Sequence, residues 1–146
     1  MIRHTSDEYR WKGVDLLPYK EDGGTHFKSI TRQTLFNGTN DLPVEFRYFE
    51  IGCGGHSTLE RHQHQHAVMI IRGSGQVFVG DAVTPINTHD VVHIPPFTWH
   101  QFRATNGEEL GFLCIVANDR DRPQRPTPEN LDELRQNEQV AEFIRV

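Results

Sequence analysis

Cysteine is scarce. Cys53 and Cys114 are the only two in 146 residues, far apart and without metal-site spacing. One lies in a glycine-rich stretch and the other inside the apolar segment 111–116, so free thiols in a cytoplasmic protein are expected, not a disulfide framework. Positive charge is not in excess. With 15 Lys and Arg against 20 Asp and Glu, the formal net charge is −5 and the pI near 6.0, which argues against nonspecific nucleic-acid binding. Long hydrophobic runs are missing as well. The runs 67–71 and 110–117 are strand-sized, well short of the roughly 20 residues a membrane span needs. The opening MIRHTSDEYRWKG has no apolar h-region, so no signal peptide is expected. What these absences leave is one domain, long enough to bury a real core.

What the chain does have is histidine, nine in all. Residues 54–75 read GGHSTLERHQHQHAVMIIRGSG. In an extended strand Glu60, His62, His64 and His66 start on one face, because side chains alternate with period two. Imidazoles with a carboxylate make a metal-site composition. A solvated histidine stripe is the duller reading, but the apolar run 67–71 follows at once and must be buried. On a straight strand His62 and His66 stand roughly 13 Å apart, too far for one ion with bonds of about 2 Å. A bend between them is therefore required.

Here the sequence resembles the cupin superfamily, whose first motif is written G(X)5HXH(X)3-4E(X)6G. Laid on without gaps, its glycines fall on Gly54 and Gly73, its HXH pair on Glu60 and His62, and its Glu on His66. A competing register starts the pair at His62 and His64, and then puts His56, Val68 and Gly75 at the first glycine, the Glu and the last glycine. Of the second motif, G(X)5PXG(X)2H(X)3N, Pro95 and His100 survive, while His89, Phe97 and Ala104 stand at its glycines and its Asn. The resemblance covers about residues 27–117. It implies one divalent transition metal (Mn, Fe, Ni, Co or Zn) held by Glu60, His62, His66 and His100. His64 is then a neighbouring group or a substitute ligand.

Nine or so short strands separated by turn signals indicate an all-β, antiparallel jelly-roll barrel. The resemblance makes this the cupin double-stranded β-helix. Residues 1–26 read as an N-terminal arm, 27–117 as the barrel, and 118–146 as an extended segment with a short helix. Strands are expected at 27–36, 44–51, 67–72 and 76–79 about a Gly73-Ser74-Gly75 turn, and then at 83–87, 90–94, 99–103 and 110–117. Gly52 to Gly55 is expected to turn the chain. In 44–51 both faces carry bulky residues, so Arg47 and Tyr48 compete to line the cavity, and a homodimer is expected. Thr127-Pro128-Glu129 is a helix start. His4 and His26 read as solvated, His93 as a packed or hydrogen-bonded histidine, and Gln101 as a group that could orient a metal-bound water. Trp99, Phe97 and Phe102 are candidate pocket walls.

An open metal position suits an oxygen-rich, anionic or bidentate small molecule. The resemblance implies a dioxygenase, isomerase, lyase or decarboxylase, with His64 or Tyr48 handling protons. The alternative is a noncatalytic metal-dependent binding or sensor module. A metal-free nucleotide-sugar epimerase has no need of this histidine cluster.

Overall fold

Alternation of apolar and polar residues along short segments produces strands here, and their register builds a closed barrel. The computed structural model describes residues 1–5, 8–20 and 24–146. Three two-residue strands lie in the arm: β1 (His4–Thr5), β2 (Arg10–Trp11) and β3 (Leu17–Pro18). The barrel follows with β4 (Lys28–Phe36), β5 (Val44–His56), β6 (His66–Val79), β7 (Ala82–Asn87), β8 (Val91–Ile94), β9 (His100–Arg103) and β10 (Leu110–Ala117). Antiparallel pairings β10–β6, β6–β9, β9–β5 and β5–β10 close the ring. β7 and β8 pair with β6 among the described residues, and Pro85 sits in β7, an edge position that tolerates its missing N–H.

Register settles the two faces of β5. Arg47 pairs with Cys114, Phe49 with Phe112 and Ile51 with Leu110, and these side chains point into the barrel with Val68, Ile70, Val77, Ile94 and Phe102. Tyr48 faces outward under the arm, where Tyr9 stacks on it with ring centroids 5.7 Å apart and Trp11 lies at 4.8 Å. Tyr9 donates its hydroxyl to the Ile71 carbonyl at 2.7 Å and accepts from Gln33 Nε2 through its own carbonyl at 3.0 Å. The arm is thus fastened to the barrel by its aromatics. The expectations for residues 6–7 and 21–23 lie outside the described residues.

Two expected turns are absent. β5 runs on through Gly52 to Gly55, and β6 is one 14-residue strand with no break at Gly73-Ser74-Gly75. The glycines serve close approach instead: a Cβ on Gly73 would strike the Glu109 carbonyl, and one on Gly75 the Arg103 carbonyl. A bulge between Gly111 and Phe112 lies opposite, so one long strand bends and serves both sheets of the jelly roll.

The four motif glycine positions share one backbone property. Gly54 has φ +68°, Gly73 +62°, His89 +81° and Phe97 +55°. His89 and Phe97 keep a glycine's conformation with an L side chain, at a cost of roughly 1–2 kcal/mol each. His89 is exposed, so His89→Gly is expected to raise stability. A gain of about 1 kcal/mol would raise the melting temperature by about 2–4 °C in a thermal unfolding scan.

The C-terminal segment forms two short helices, α1 (Pro128–Leu134) and α2 (Glu138–Phe143). Thr127 caps α1: its hydroxyl accepts from the Asn130 N–H at 3.3 Å, and Asn130 Oδ1 accepts from the Thr127 N–H at 3.2 Å. Val140, Phe143 and Ile144 bury a second apolar cluster with Leu59 and Phe78, flanked by Leu131, Leu134 and Trp99. Gln101 faces this outer layer. Its amide donates to the carbonyls of Ser57 (2.9 Å) and Arg145 (2.7 Å) and accepts from the Arg145 N–H (2.9 Å). A water-orienting role inside the barrel is therefore excluded for Gln101. Gln101→Leu is expected to lower stability by about 1–3 kcal/mol, because the buried amide gives up its bonds to the Ser57 carbonyl and to both backbone groups of Arg145. Denaturant titration measures this.

Candidate metal centre

Glu60 and His100 face each other across a two-residue antiparallel bridge, with N–H to carbonyl bonds of 3.2 and 3.0 Å. The chain then bends at Gln63 and His64, as the spacing of the histidines requires, and enters β6 at His66. The Phe97 N–H donates to the His62 carbonyl at 2.6 Å, tying the double-proline loop to the bend. His62 and His66 come to a ring separation of 4.6 Å, and His100 lies 4.8 Å from His62. One nitrogen from each of His62, His66 and His100 falls within 4.8 Å of the other two.

Each of these rings is oriented by its other nitrogen. His62 Nδ1–H donates to the His64 carbonyl at 2.7 Å, and His100 Nδ1–H to the Thr98 carbonyl at 2.9 Å. A carbonyl only accepts, so in both rings Nε2 carries the lone pair, the form that ligates metal. His66 Nδ1 stands 3.6 Å from the Cys114 thiol. Nε2 of His62 and of His66 is buried with no hydrogen-bond partner among the described residues. Buried imidazole nitrogens without a partner cost free energy, and a divalent cation held between the three rings satisfies them. The donor set therefore fits a metal of the first-row type. Burial pushes the His62 pKa down to about 4, with help from the neighbouring His100 and His64. Burial first, then His100, His62 and Arg47, holds His66 far below the usual imidazole range, and burial also lowers His100. Each of these shifts favours the neutral imidazole that ligation requires.

The other candidates are placed less uniformly. Glu60 lines the same cavity, but its carboxylate is engaged by Lys20 Nζ and does not join the converging group. His64 also lines the cavity and stacks on His62 with centroids 3.7 Å apart. Its Nδ1 pairs with Asp121 Oδ1 at 2.6 Å. The Tyr48 hydroxyl donates to Glu50 at 2.7 Å on the outer face, away from the cavity. Phe102 walls the cavity, whereas Phe97 is exposed and Trp99 packs outside beneath Arg61, at 4.6 Å from its ring. His26 is buried, contrary to the solvated reading, and lies 3.0 Å from Arg125 Nη1. His93 bonds Gln65 Oε1 through Nε2 at 2.8 Å.

Three contributors escape a motif reading. Tyr19 and Lys20 of the arm line the cavity, although nothing in their local sequence marks them. Asp121, beyond the barrel, accepts from the N–H groups of Gln63 (2.9 Å) and His64 (3.1 Å) as well as from His64 Nδ1, so it clamps the ligand bend. Desolvation alone would raise its pKa, but these donors outweigh it and hold the carboxyl below the usual range. A depressed folded-state pKa stabilises the protein above the unfolded value near ~3.9, and that contribution is lost as the pH falls below it. Asp121→Asn is expected to lower stability at pH 6 while flattening its pH dependence below about 4, as read by denaturation at pH 6 and pH 3.

The family model described as "Cupin domain" matches residues 47–116. The 1-methylthio-D-xylulose 5-phosphate methylsulfurylase of Rhodospirillum rubrum is 56% identical over 143 residues, 98% of this chain and 91% of that protein. This chain belongs to the cupin family. Among solved structures, a cupin 2 conserved barrel domain protein from Rhodopseudomonas palustris is 50% identical, with a TM-score of 0.93 over 100% of this chain and 99% of that one. A cupin-2 domain protein from Rhodospirillum rubrum is 55% identical, with a TM-score of 0.87 over 97% of this chain and 94% of that one.

As a cupin, the chain keeps motif geometry where it has lost motif residues. His89 and Phe97 hold the backbone that glycine ordinarily provides. His66, standing where the motif has Glu, carries one of the three converging nitrogens.

Proposed function

We propose that this cupin is a metal-dependent enzyme acting on a phosphorylated keto-sugar thioether of the kind named for the Rhodospirillum rubrum relative. The observation that carries the reading is the pair of orphaned Nε2 atoms of His62 and His66 facing His100 in a buried pocket. His62, His66 and His100 hold one divalent transition metal (Mn, Fe, Ni, Co or Zn), and Glu60, set free from Lys20, is the proposed carboxylate donor. When bound, the metal supplies a Lewis acid for a substrate carbonyl or hydroxyl oxygen. A 1-methylthio-2-ketose has its carbon–sulfur bond next to such a carbonyl, so when an external thiolate attacks the sulfur and takes the methylthio group as a mixed disulfide, the bonding pair passes into the C1–C2 enolate, which is then protonated at C1.

The chain's own groups do the rest. Phe49, Phe102 and Phe112 wall the cavity and exclude water. His64 gives Nδ1–H to Asp121, which leaves the Nε2 lone pair free to take or return a proton beside the substrate. Tyr48 has no part in this proposal. A homodimer joined through the outer apolar face at Met69, Val91 and Ile115, all exposed, and a cytoplasmic location belong to the same reading. No helix among the described residues is long and apolar enough to cross a membrane.

The test is incubation of the metal-loaded protein with 1-methylthio-D-xylulose 5-phosphate and a thiol such as dithiothreitol as acceptor of the methylthio group, with substrate, phosphate-ester product and methyl disulfide followed by mass spectrometry. Turnover that disappears on chelation and returns with added metal is expected. Tight binding of the ester without any turnover would favour a binding or sensor module instead.

A further inference from the structure

The cavity beside the three histidines is cationic in a protein whose net charge is −5. Lys20, Arg32, Arg47 and Arg120 line it, and Glu60 is the one carboxylate among the described residues that do. Lys20 is neutralised by Glu60, and Arg120 Nη2 by Glu45 at 2.9 Å. The other two are less well satisfied. Arg47 is 8% exposed, and its Nε has no hydrogen-bond partner among the described residues. Glu45 stands 3.6 Å from that Nε, too long for a hydrogen bond. The one hydrogen-bond partner of its Nη2 among the described residues is the Cys114 thiol, at 3.5 Å, a weak acceptor. Arg32 likewise has a buried Nε without a hydrogen-bond partner among the described residues.

Strand register puts both on one side of the barrel wall. Arg32 pairs with Phe49 and Thr34 with Arg47, so the two arginines are diagonal neighbours on the inward face of β4 and β5. The Arg47 guanidinium rests 5.0 Å from the Phe49 ring, which fixes its plane. A buried guanidinium with donors unspent is costly unless something accepts from them. Two forks on adjacent strands, the buried one of Arg47 and the partly buried one of Arg32, match the several acceptor oxygens and the double charge of a phosphate monoester; one carboxylate would occupy a single fork.

The geometry points to Arg32 and Arg47, with Arg120 at the rim, as the cradle for the phosphate of the substrate, holding it while the sugar end reaches the histidine triad. This rests on the function proposed above and adds the residues that select a phosphorylated substrate. The cationic lining also draws such a substrate into an otherwise acidic protein.

Calorimetric titration of the metal-loaded protein with D-xylulose 5-phosphate and with D-xylulose tests it. The wild type is expected to bind the phosphate ester at least about 100-fold more tightly than the free sugar, and inorganic phosphate is expected to compete. Arg32→Gln and Arg47→Met are each expected to lose most of that preference while keeping full metal content by element analysis. Arg32→Gln serves if Arg47→Met does not fold, because Arg32 is only partly buried. Equal wild-type affinity for sugar and ester, or an undiminished preference in Arg32→Gln, would overturn the cradle. The preceding proposal fails separately, by absence of turnover in a protein that still prefers the phosphate ester.

Discussion

Replacing His100 by Gln is expected to empty the metal centre while leaving the barrel folded. His100 supplies one of three converging nitrogens, and its ring is set by a single bond to the Thr98 carbonyl. Loss of a partner outside the ligand set already lowers metal affinity about 10–100-fold, so loss of a ligand is expected to exceed about 100-fold. Turnover should fall by roughly 1,000-fold or more, since the site's Lewis acid goes with it. Element analysis after dialysis and a far-ultraviolet spectrum separate this from misfolding. Metal content should drop well below one equivalent with the strand signal intact. His62→Gln should behave alike, and Glu60→Gln more mildly, because the three imidazoles converge without it.

The largest effect on stability is expected at Gly73. Its φ of +62° alone disfavours an L side chain by roughly 1–2 kcal/mol. A Cβ there would also collide with the Glu109 carbonyl, and backbone cannot yield as a flexible side chain can. Gly73→Ala is therefore expected to cost about 3 kcal/mol or more, lowering the melting temperature by roughly 6–12 °C. The same change at Gly54, which also has positive φ but open space around it, should cost only the backbone part. Thermal melts of the two variants side by side check the difference.

These two glycines illustrate what a sequence does and does not carry. Gly54 and Gly73 were legible as motif positions, and the bend at Gln63 and His64 was expected because a straight strand would hold His62 and His66 too far apart to share a site. The barrel, the edge placement of Pro85 and the capped helix after Thr127 were legible as well, because periodicity and turn chemistry are local properties. The function of Gly73-Ser74-Gly75 was not. Glycines that admit a neighbouring strand spell the same letters as glycines that reverse the chain, and the neighbour, at Glu109 and Arg103, is far away in sequence. The inward face of 44–51 was undecidable for a similar reason. Arg47 and Tyr48 look equally able to line a cavity until the arm's Tyr9 and Trp11 are seen to cover one of them. Lys20 and Asp121 reach the site from outside the barrel segment, through contacts spanning 40 and 57 residues, which no local pattern announces.

The central claim is that His62, His66 and His100 grip a single divalent ion. Anomalous diffraction at the absorption edge of the metal that element analysis finds in crystals of the purified protein tests it directly. One peak per chain is expected, about 2.1 Å from a nitrogen of each ring. A peak held instead by His64 and Asp121, or full activity in crystals and solutions free of metal, would contradict it.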